Sequence, residues 1–301
     1  MATRTDAQVR SSARARMSRE EFELAVGRVL KVILVIFFLL ITAFPFYWMV
    51  NLAARPFTDI LQNPTRLIPS LSQLGEIPQT FSAVWNDFNF GRYVWNSTVL
   101  SLVTVVLTLI LSIPGAYAVT RLRFRLKNAM SWGILLVYMF PAIVLAIPLF
   151  VVYSKLGLRG NLMGVVVVYL SSTLPVALYM LRSYFSTIPV DLEEAALIDG
   201  CTPLSAIWRV TIPLSLPAIA TVALYTWMIA WNEFLFALLF LLEQPASWTL
   251  PIGLQQLNKA QEVPITYLMA GSLIITVPVI VVFLFFERFL TSGLTAGAVK
   301  G

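Results

Sequence analysis

A chain of 301 residues with no histidine and a single cysteine has carboxylates, hydroxyls, amides and phenols left to do chemistry. Imidazole catalysis and His or Cys-x-x-Cys metal sites are excluded, and Cys201 alone cannot close an intrachain disulfide. No Gly-Lys pair occurs, so the Gly-x4-Gly-Lys-Ser/Thr loop that cradles nucleotide phosphates is missing. The polar residues that remain gather in three places. Asp191, Glu193, Glu194 and Asp199 stand in a polar interlude running from Ser186 to Pro213. Ser97, Ser101, Thr104, Thr108 and Ser112 recur at steps of four, three, four and four in an apolar run. Thr221, Tyr225, Met228 and Asn232 share one helical face of another, with Glu233 following.

The acidic group reads as helix architecture rather than as an acid–base pair. Pro189 suits a first helical turn, and Asp191, Glu193 and Glu194 near that end complement the helix dipole. Gly200 stands where a left-handed residue ends a helix, and Thr202-Pro203 is an N-cap and N1 pair for a second one. The expectation is a helix, a corner and a helix. The row of hydroxyls allows two uses: close helix packing by small residues, or the wall of a hydrated path. Tyr225, Met228 and Asn232 likewise allow two: hydrogen bonding and stacking with a neutral polyol, or interhelical hydrogen bonds with aromatic anchoring near the membrane surface. Glu233 is costly in hydrocarbon and a functional candidate by default, although near a span's outer third it can reach water.

These groups are set in a membrane protein. Hydrophobic residues make up 58% and charged residues 12% of the chain, against roughly 25% charged in a soluble domain. Six apolar runs are long enough to span: Val29–Val50, Val94–Thr120, Ala129–Tyr153, Leu162–Arg182, Leu214–Leu242 and Ile265–Phe286. The first is longer than the 7–15 residues of a signal-peptide core and is read as a transmembrane helix. Residues 1–28 form a basic arm, expected to be loosely ordered, with a capping box from Ser18 to Glu21. Prolines at 45, 114, 141, 148, 175, 217 and 278 fall in or beside the spans; kinked pathways and the ordinary tolerance of membrane helices for proline both account for them.

Of the 21 Lys and Arg residues, fifteen fall on the side of the termini and of the Ser186–Pro213 loop, and six on the other. By the positive-inside rule both termini and that loop are cytoplasmic, and residues 51–93, rich in Pro, Asn, Gln and Ser, are external. The same rule accounts for the net charge of +6 without nucleic acid.

Glu194-Ala195-Ala196, three residues, Gly200, nine residues and Val210-Thr211-Ile212-Pro213 resemble the EAA loop of binding-protein-dependent ABC importers, E-A-A-x3-G-x9-I-x-L-P, departing only by two apolar swaps. Trp231-Asn232-Glu233-Phe234 and the terminal Gly293–Gly301 resemble the carbohydrate branch, specifically the maltose-type second permease subunit. The resemblance implies an all-α integral membrane protein with the type I ABC importer permease fold: six transmembrane helices and a cytoplasmic coupling helix. Its parts are the arm 1–28, the first helix and external loop 29–93, the core 94–287 with coupling loop 186–213, and a cytoplasmic tail 288–301. The implied activity is sugar import, a disaccharide such as trehalose or an oligosaccharide, across the bacterial inner membrane. The chain itself is no enzyme and binds no cofactor; ATP and Mg are taken by a partner ATPase. The implied partners are a second permease subunit, a dimer of ATP-binding subunits and an extracytoplasmic solute-binding protein or lipoprotein. Contact with the ATPase falls to Glu193, Glu194, Ala195, Ala196, Asp199 and Gly200, and the candidate sugar path to Tyr225, Met228, Asn232, Ser101, Thr104 and Thr108.

Two rivals stand beside this reading. An importer of another polar solute such as glycerol phosphate shares the loop motif, which does not specify cargo. An ion-coupled secondary transporter wants midplane acids and often inverted repeats, whereas the charges here are peripheral and no repeat is visible. In a Cys201→Ala background, single cysteines at Arg123 and Gln73 are expected to react with an impermeant thiol reagent from opposite sides of the membrane, which labelling of intact and inverted vesicles checks.

Overall fold

In hydrocarbon no water is present to bond exposed N–H and C=O groups, so an apolar run must close its own hydrogen bonds, and it does so as a helix. The computed structural model describes residues 3–125, 141–259 and 263–298 with a few positions between 127 and 139, and among them there is no strand. The helices are α1 (Thr3–Ala53), α2 (Phe57–Gln62), α3 (Leu71–Leu74), α4 (Ile77–Asn86), α5 (Phe90–Arg121), α6 (Ala142–Lys155), α7 (Leu162–Phe185), α8 (Val190–Ile198), α9 (Pro203–Leu214), α10 (Leu216–Asn232), α11 (Leu235–Leu241), α12 (Leu250–Lys259) and α13 (Ile265–Ala298).

Among the described residues four helical segments are long and apolar enough to cross a membrane, Phe22–Ala53, α5, α7 and Ile265–Phe289, and the bent pair of α9 and α10 makes a fifth. Most of the first half of the third apolar run, 129–141, lies outside the described residues, and α6 carries the rest as 14 residues containing Pro148. Three expectations change. The arm 1–28 is not a separate irregular segment, because α1 runs unbroken from Thr3 through Ser18–Glu21 for 51 residues, about 77 Å at 1.5 Å per residue; its Ala, Arg, Met and Glu are strong helix formers. The last helix likewise continues past residue 288 to Ala298. The run Leu214–Leu242 is two helices, because the backbone turns extended at Glu233 and α11 starts afresh at Leu235.

Glu233 makes that break itself. Its carboxylate accepts hydrogen bonds from the first amides of α11, Phe236 N at 2.8 Å and Ala237 N at 3.0 Å. The charge is thus spent on a helix N-terminus, where orphan donors and the dipole both favour an anion.

The bundle core is formed where α5 and α7 pack, with α10, α11 and α12 against them; Leu100, Val165, Tyr169, Phe236, Phe240 and Ile252 are buried there. The hydroxyl row of α5 lies inside this packing. Ser101 and Thr104 donate to carbonyls of their own helix, Thr108 meets Thr173 of α7 at 2.9 Å, and the Ser97 hydroxyl accepts from Leu250 N, fixing the start of α12. Most of α1 stands apart: the apolar stretch from Phe22 buries no residue until its end, where Asn51–Arg55 pack against α13.

Arg55 at that end is fully buried and organises the segment beyond it. Its guanidinium donates to Asp59 Oδ2 (2.7 Å), Asn51 Oδ1 (3.4 Å) and the carbonyls of Asp59, Asn63 and Arg66, while its own carbonyl accepts from Thr266 Oγ1 at 2.9 Å. Tyr47 and Asn51 both donate to Leu67 O, pinning the far end of the turn back on α1. The Arg55 hydrogen bond holds the Asp59 carboxyl below its ordinary pKa. A depressed carboxylate stabilises the fold above its unfolded pKa and ceases to as pH falls through the folded one, so the clamp is whole at neutral pH and fails only in strong acid. Arg55→Ala, which removes the buried donor shared by five acceptors, is expected to loosen this region, read as protease cleavage between residues 56 and 70 that the parent resists.

Candidate functional site: the Ser186–Pro213 loop and the face of α10

Between α7 and α10 the chain leaves the bundle, makes two short helices and returns. Pro189 is at the N-cap of α8, one place before the expected first turn, with φ −57° and ψ 133°. Gly200 follows the C-cap with φ +89°, the left-handed region that only glycine enters without a Cβ penalty. Gly200 N donates to Leu197 O at 3.1 Å and Cys201 N to Ala196 O at 2.9 Å, the paired bonds of a Schellman ending. The Thr202 hydroxyl then accepts from Ser205 N, and α9 begins on Pro203. A left-handed residue between two capped helices fixes the angle of the corner.

Glu193 ties this loop to the bundle. It is 5% exposed and its carboxylate meets Arg121 Nε at 3.0 Å, accepts from Tyr117 OH at 3.1 Å, and accepts from Thr211 Oγ1 at 3.1 Å. Arg121 also donates to Ile188 O at 2.8 Å, just before α8 starts. One carboxylate thereby joins the end of α5, the middle of α8 and the far turn of α9. Thr211 reaches it from a π turn, Ile207–Thr211, that widens α9 by one residue. Four residues on, Ser215 donates Oγ to Thr211 O at 2.7 Å and the axis turns 78° from α9 into α10.

Of the residues assigned from sequence to contact with another subunit, Glu193 therefore points inward and Ala196 is half-buried, while Glu194, Ala195, Asp199 and Gly200 are exposed. Sequence reasoning missed two things here. Arg121 was legible only as one positive charge among fifteen, since nothing local in a sequence pairs it with a residue 72 places on. The outward apolar side chains Leu197, Ile198, Leu204 and Trp208 were also passed over; Ile198 is 86% and Trp208 64% exposed. Side chains of this size turned outward from a loop mark a contact surface.

On α10, Met228 and Asn232 are exposed and Tyr225 is partly so, whereas Ser101, Thr104 and Thr108 are fully buried within the chain. The α10 face and the α5 row are thus not one surface. Asn232 donates Nδ2 to Met228 O at 2.9 Å, and Trp227 and Trp231 stack behind it at 5.0 Å between ring centres.

Residues 112–295 match the family model described as binding-protein-dependent transport system inner membrane component. The inner membrane ABC transporter permease protein YcjP of Escherichia coli K12 is 39% identical over 264 residues, 88% of this chain and 93% of that one. The trehalose/maltose transport system permease protein MalG of Thermococcus litoralis is 35% identical over 94% of this chain and 99% of its own length. The trehalose transport system permease protein SugB of Mycobacterium tuberculosis is 35% identical over 85% and 92%. Among solved structures, a bacterial ABC transporter involved in the import of the acidic polysaccharide alginate superposes with a TM-score of 0.75 over 87% of this chain and 96% of that one, at 24% identity, a likeness of fold.

Glu193→Ala is expected to lower the unfolding midpoint of the purified chain, since it strands a nearly buried guanidinium at a cost of roughly 3–5 kcal/mol. Replacing Glu193 and Arg121 together by Met should recover most of the loss, as a thermal melt of the single and double variants will show.

Proposed function

Because the chain belongs to the binding-protein-dependent transport system inner membrane components, we propose that it is one half of the translocation pathway of an ATP-driven sugar importer and that the Ser186–Pro213 loop receives the driving motion. Permease subunits of this family are not catalysts. ATP and its Mg ion would be held by a separate ATPase subunit. The relatives named for trehalose and maltose support a disaccharide as cargo.

The observation that carries the coupling assignment is the Glu193 tie. A loop that is to transmit force must be stiff at its base and adhesive at its tip. Here the base is a nearly buried ion pair with three further hydrogen bonds, and the tip is the exposed set of Glu194, Ala195, Asp199, Gly200, Ile198 and Trp208. Movement of an ATPase surface against α8 would pass through Glu193 to Arg121 on α5 and through Thr211 and the Ser215 bend to α10. Those two helices carry the bundle core and the Tyr225, Met228 and Asn232 face, so both sides of a pathway would turn together. Ser101, Thr104 and Thr108 serve this as packing, holding α5 to its neighbours.

In the proposed orientation both termini and the loop are cytoplasmic and residues 51–93 are external, following the charge bias. The parts are a first helix and external loop over 29–93 and a core over 94–287. The basic start of α1 and the end of α13 project on the cytoplasmic side. The partners are a second permease chain, a pair of ATP-binding subunits and a solute-binding protein outside.

A Cβ placed at Gly200 meets no atom of this chain within 4 Å, so a substitution there acts through the backbone and the partner rather than through a clash inside the fold. Gly200→Leu adds roughly 1–2 kcal/mol of left-handed strain and bulk at the tip. It is expected to abolish sugar uptake and sugar-stimulated ATP hydrolysis in reconstituted complexes while the chain still inserts. Normal uptake together with normal copurification of the ATPase would remove the coupling assignment.

A further inference from the structure

Beyond Asn232 the α10 face continues into a cleft of about 440 Å³, within the range of small-molecule sites, between the end of α10, α12 and the start of α13. Asn232, Gln255, Asn258 and Ser272 converge on it, with Phe234 and Leu254 among its apolar lining. We infer that this cleft is a binding subsite for a neutral polyhydroxylated ligand, a sugar ring, held by this chain itself on the outer side of the pathway. The inference rests on the permease reading above and adds a ligand contact that the family match does not assign.

Three features point to such a ligand. Among the described residues the cleft lining carries no charged side chain, which disfavours an anion such as glycerol phosphate and suits a neutral solute. Its polar groups keep both acceptors and donors for a ligand. Asn232 commits one of its two amide hydrogens to Met228 O, leaving its Oδ1 to accept and one N–H to donate, and Ser272 spends its hydroxyl proton on Leu268 O at 2.8 Å, leaving its oxygen to accept from the O–H donors of a sugar. Gln255 Oε1 is buried and has no hydrogen-bond partner among the described residues. An unmade bond at such an oxygen is costly, and the terminal torsion of glutamine is soft enough to swing the oxygen toward a ligand hydroxyl in the cleft. The Phe234 ring supplies an apolar surface beside these acceptors.

The walls are also held in place. Trp231 donates Nε1 to Ile275 O at 3.2 Å, fixing α10 on α13 behind the cleft, and Glu233 caps α11 at its edge. Because α10 continues through the Ser215 bend to the loop, the cleft changes shape whenever the loop moves. Sugar affinity and the driving motion would then be linked through one helix.

The test measures equilibrium binding of radiolabelled trehalose, maltose and glycerol 3-phosphate to the complete purified transporter without its solute-binding protein, whose own affinity would mask the site. Uptake is followed in parallel with that protein present. Gln255→Met, which keeps length and apolar contact but loses the acceptor, is expected to weaken binding of the transported sugar about three- to tenfold, the worth of one hydrogen bond. Asn258→Ala, at an exposed position, should weaken it comparably, with copurification of the second permease chain retained in both. Unaltered affinity in both variants, or a transporting complex with no saturable sugar binding, would overturn the subsite and leave the permease reading intact. So would loss of the second permease chain from Gln255→Met, which would make the cleft a subunit contact. A parent complex that takes up none of the sugars, or only glycerol 3-phosphate, would overturn the sugar reading and the subsite together.

Discussion

A polar group that enters the bilayer is costly to leave without a partner inside the protein, and most of the structure is arranged by how that cost is met. Along the spans the backbone meets it by helix. Where a helix must stop or bend, a side chain takes over: the Glu233 carboxylate receives two amides at the break between α10 and α11, and the Ser215 hydroxyl bonds Thr211 O where α9 turns into α10. On the hydroxyl row of α5, Ser101 and Thr104 bond back to their own helix and Thr108 crosses to Thr173, while the buried Ser112 Oγ has no partner among the described residues.

A buried cation, Arg55, and a nearly buried one, Arg121, do related work. Arg55 gathers five acceptors and folds the segment after α1 onto the start of α13; Arg121 gathers Glu193 and Ile188 O and folds the Ser186–Pro213 loop onto the end of α5. In each case the guanidinium's fixed fork lets one side chain hold several acceptors of neighbouring segments at once. A buried ion pair adds little net stability over an apolar contact of the same shape, yet leaving one partner alone is expensive. Such pairs therefore define geometry more than they strengthen it. That property fits the proposed role of the loop, to hand movement on without deforming.

The two ends of α10 connect these observations. Its start is the 78° bend fed by the loop, and its finish is the face of Met228 and Asn232 opening on the cleft with Gln255, Asn258 and Ser272. α10, of 17 residues and about 26 Å, runs from that bend to the polar face, and under the proposed coupling it would carry rotation from one to the other. Coupling and cargo contact then need no chain of intermediates beyond one element.

Much of this was written in the sequence. The apolar runs, the positive bias and the spacing from Glu194 to Pro213 identify a membrane permease, because hydrophobic length, loop charge and cap residues act over short stretches of chain. Gly200 at positive φ, Thr202 as N-cap and the helix-corner-helix order are local in the same sense. Contacts across the chain were not legible. That Glu193 turns inward while Glu194 turns out depends on Arg121 and Tyr117 arriving from α5, and no pattern near residue 193 encodes that arrival. That Thr108 meets Thr173 while Ser101 and Thr104 bond back to their own helix was likewise not encoded in their spacing. Glu233 looked like an exposed or functional charge, because its acceptors' use as a cap required the helix to break, which an uninterrupted apolar run gave no reason to expect. Gln255, Asn258 and Ser272 are separated from Asn232 by up to 40 residues and share a cleft only because Trp231 seats α10 on α13. Periodicity fixes which face a residue takes on its own helix, and only tertiary packing decides what that face meets.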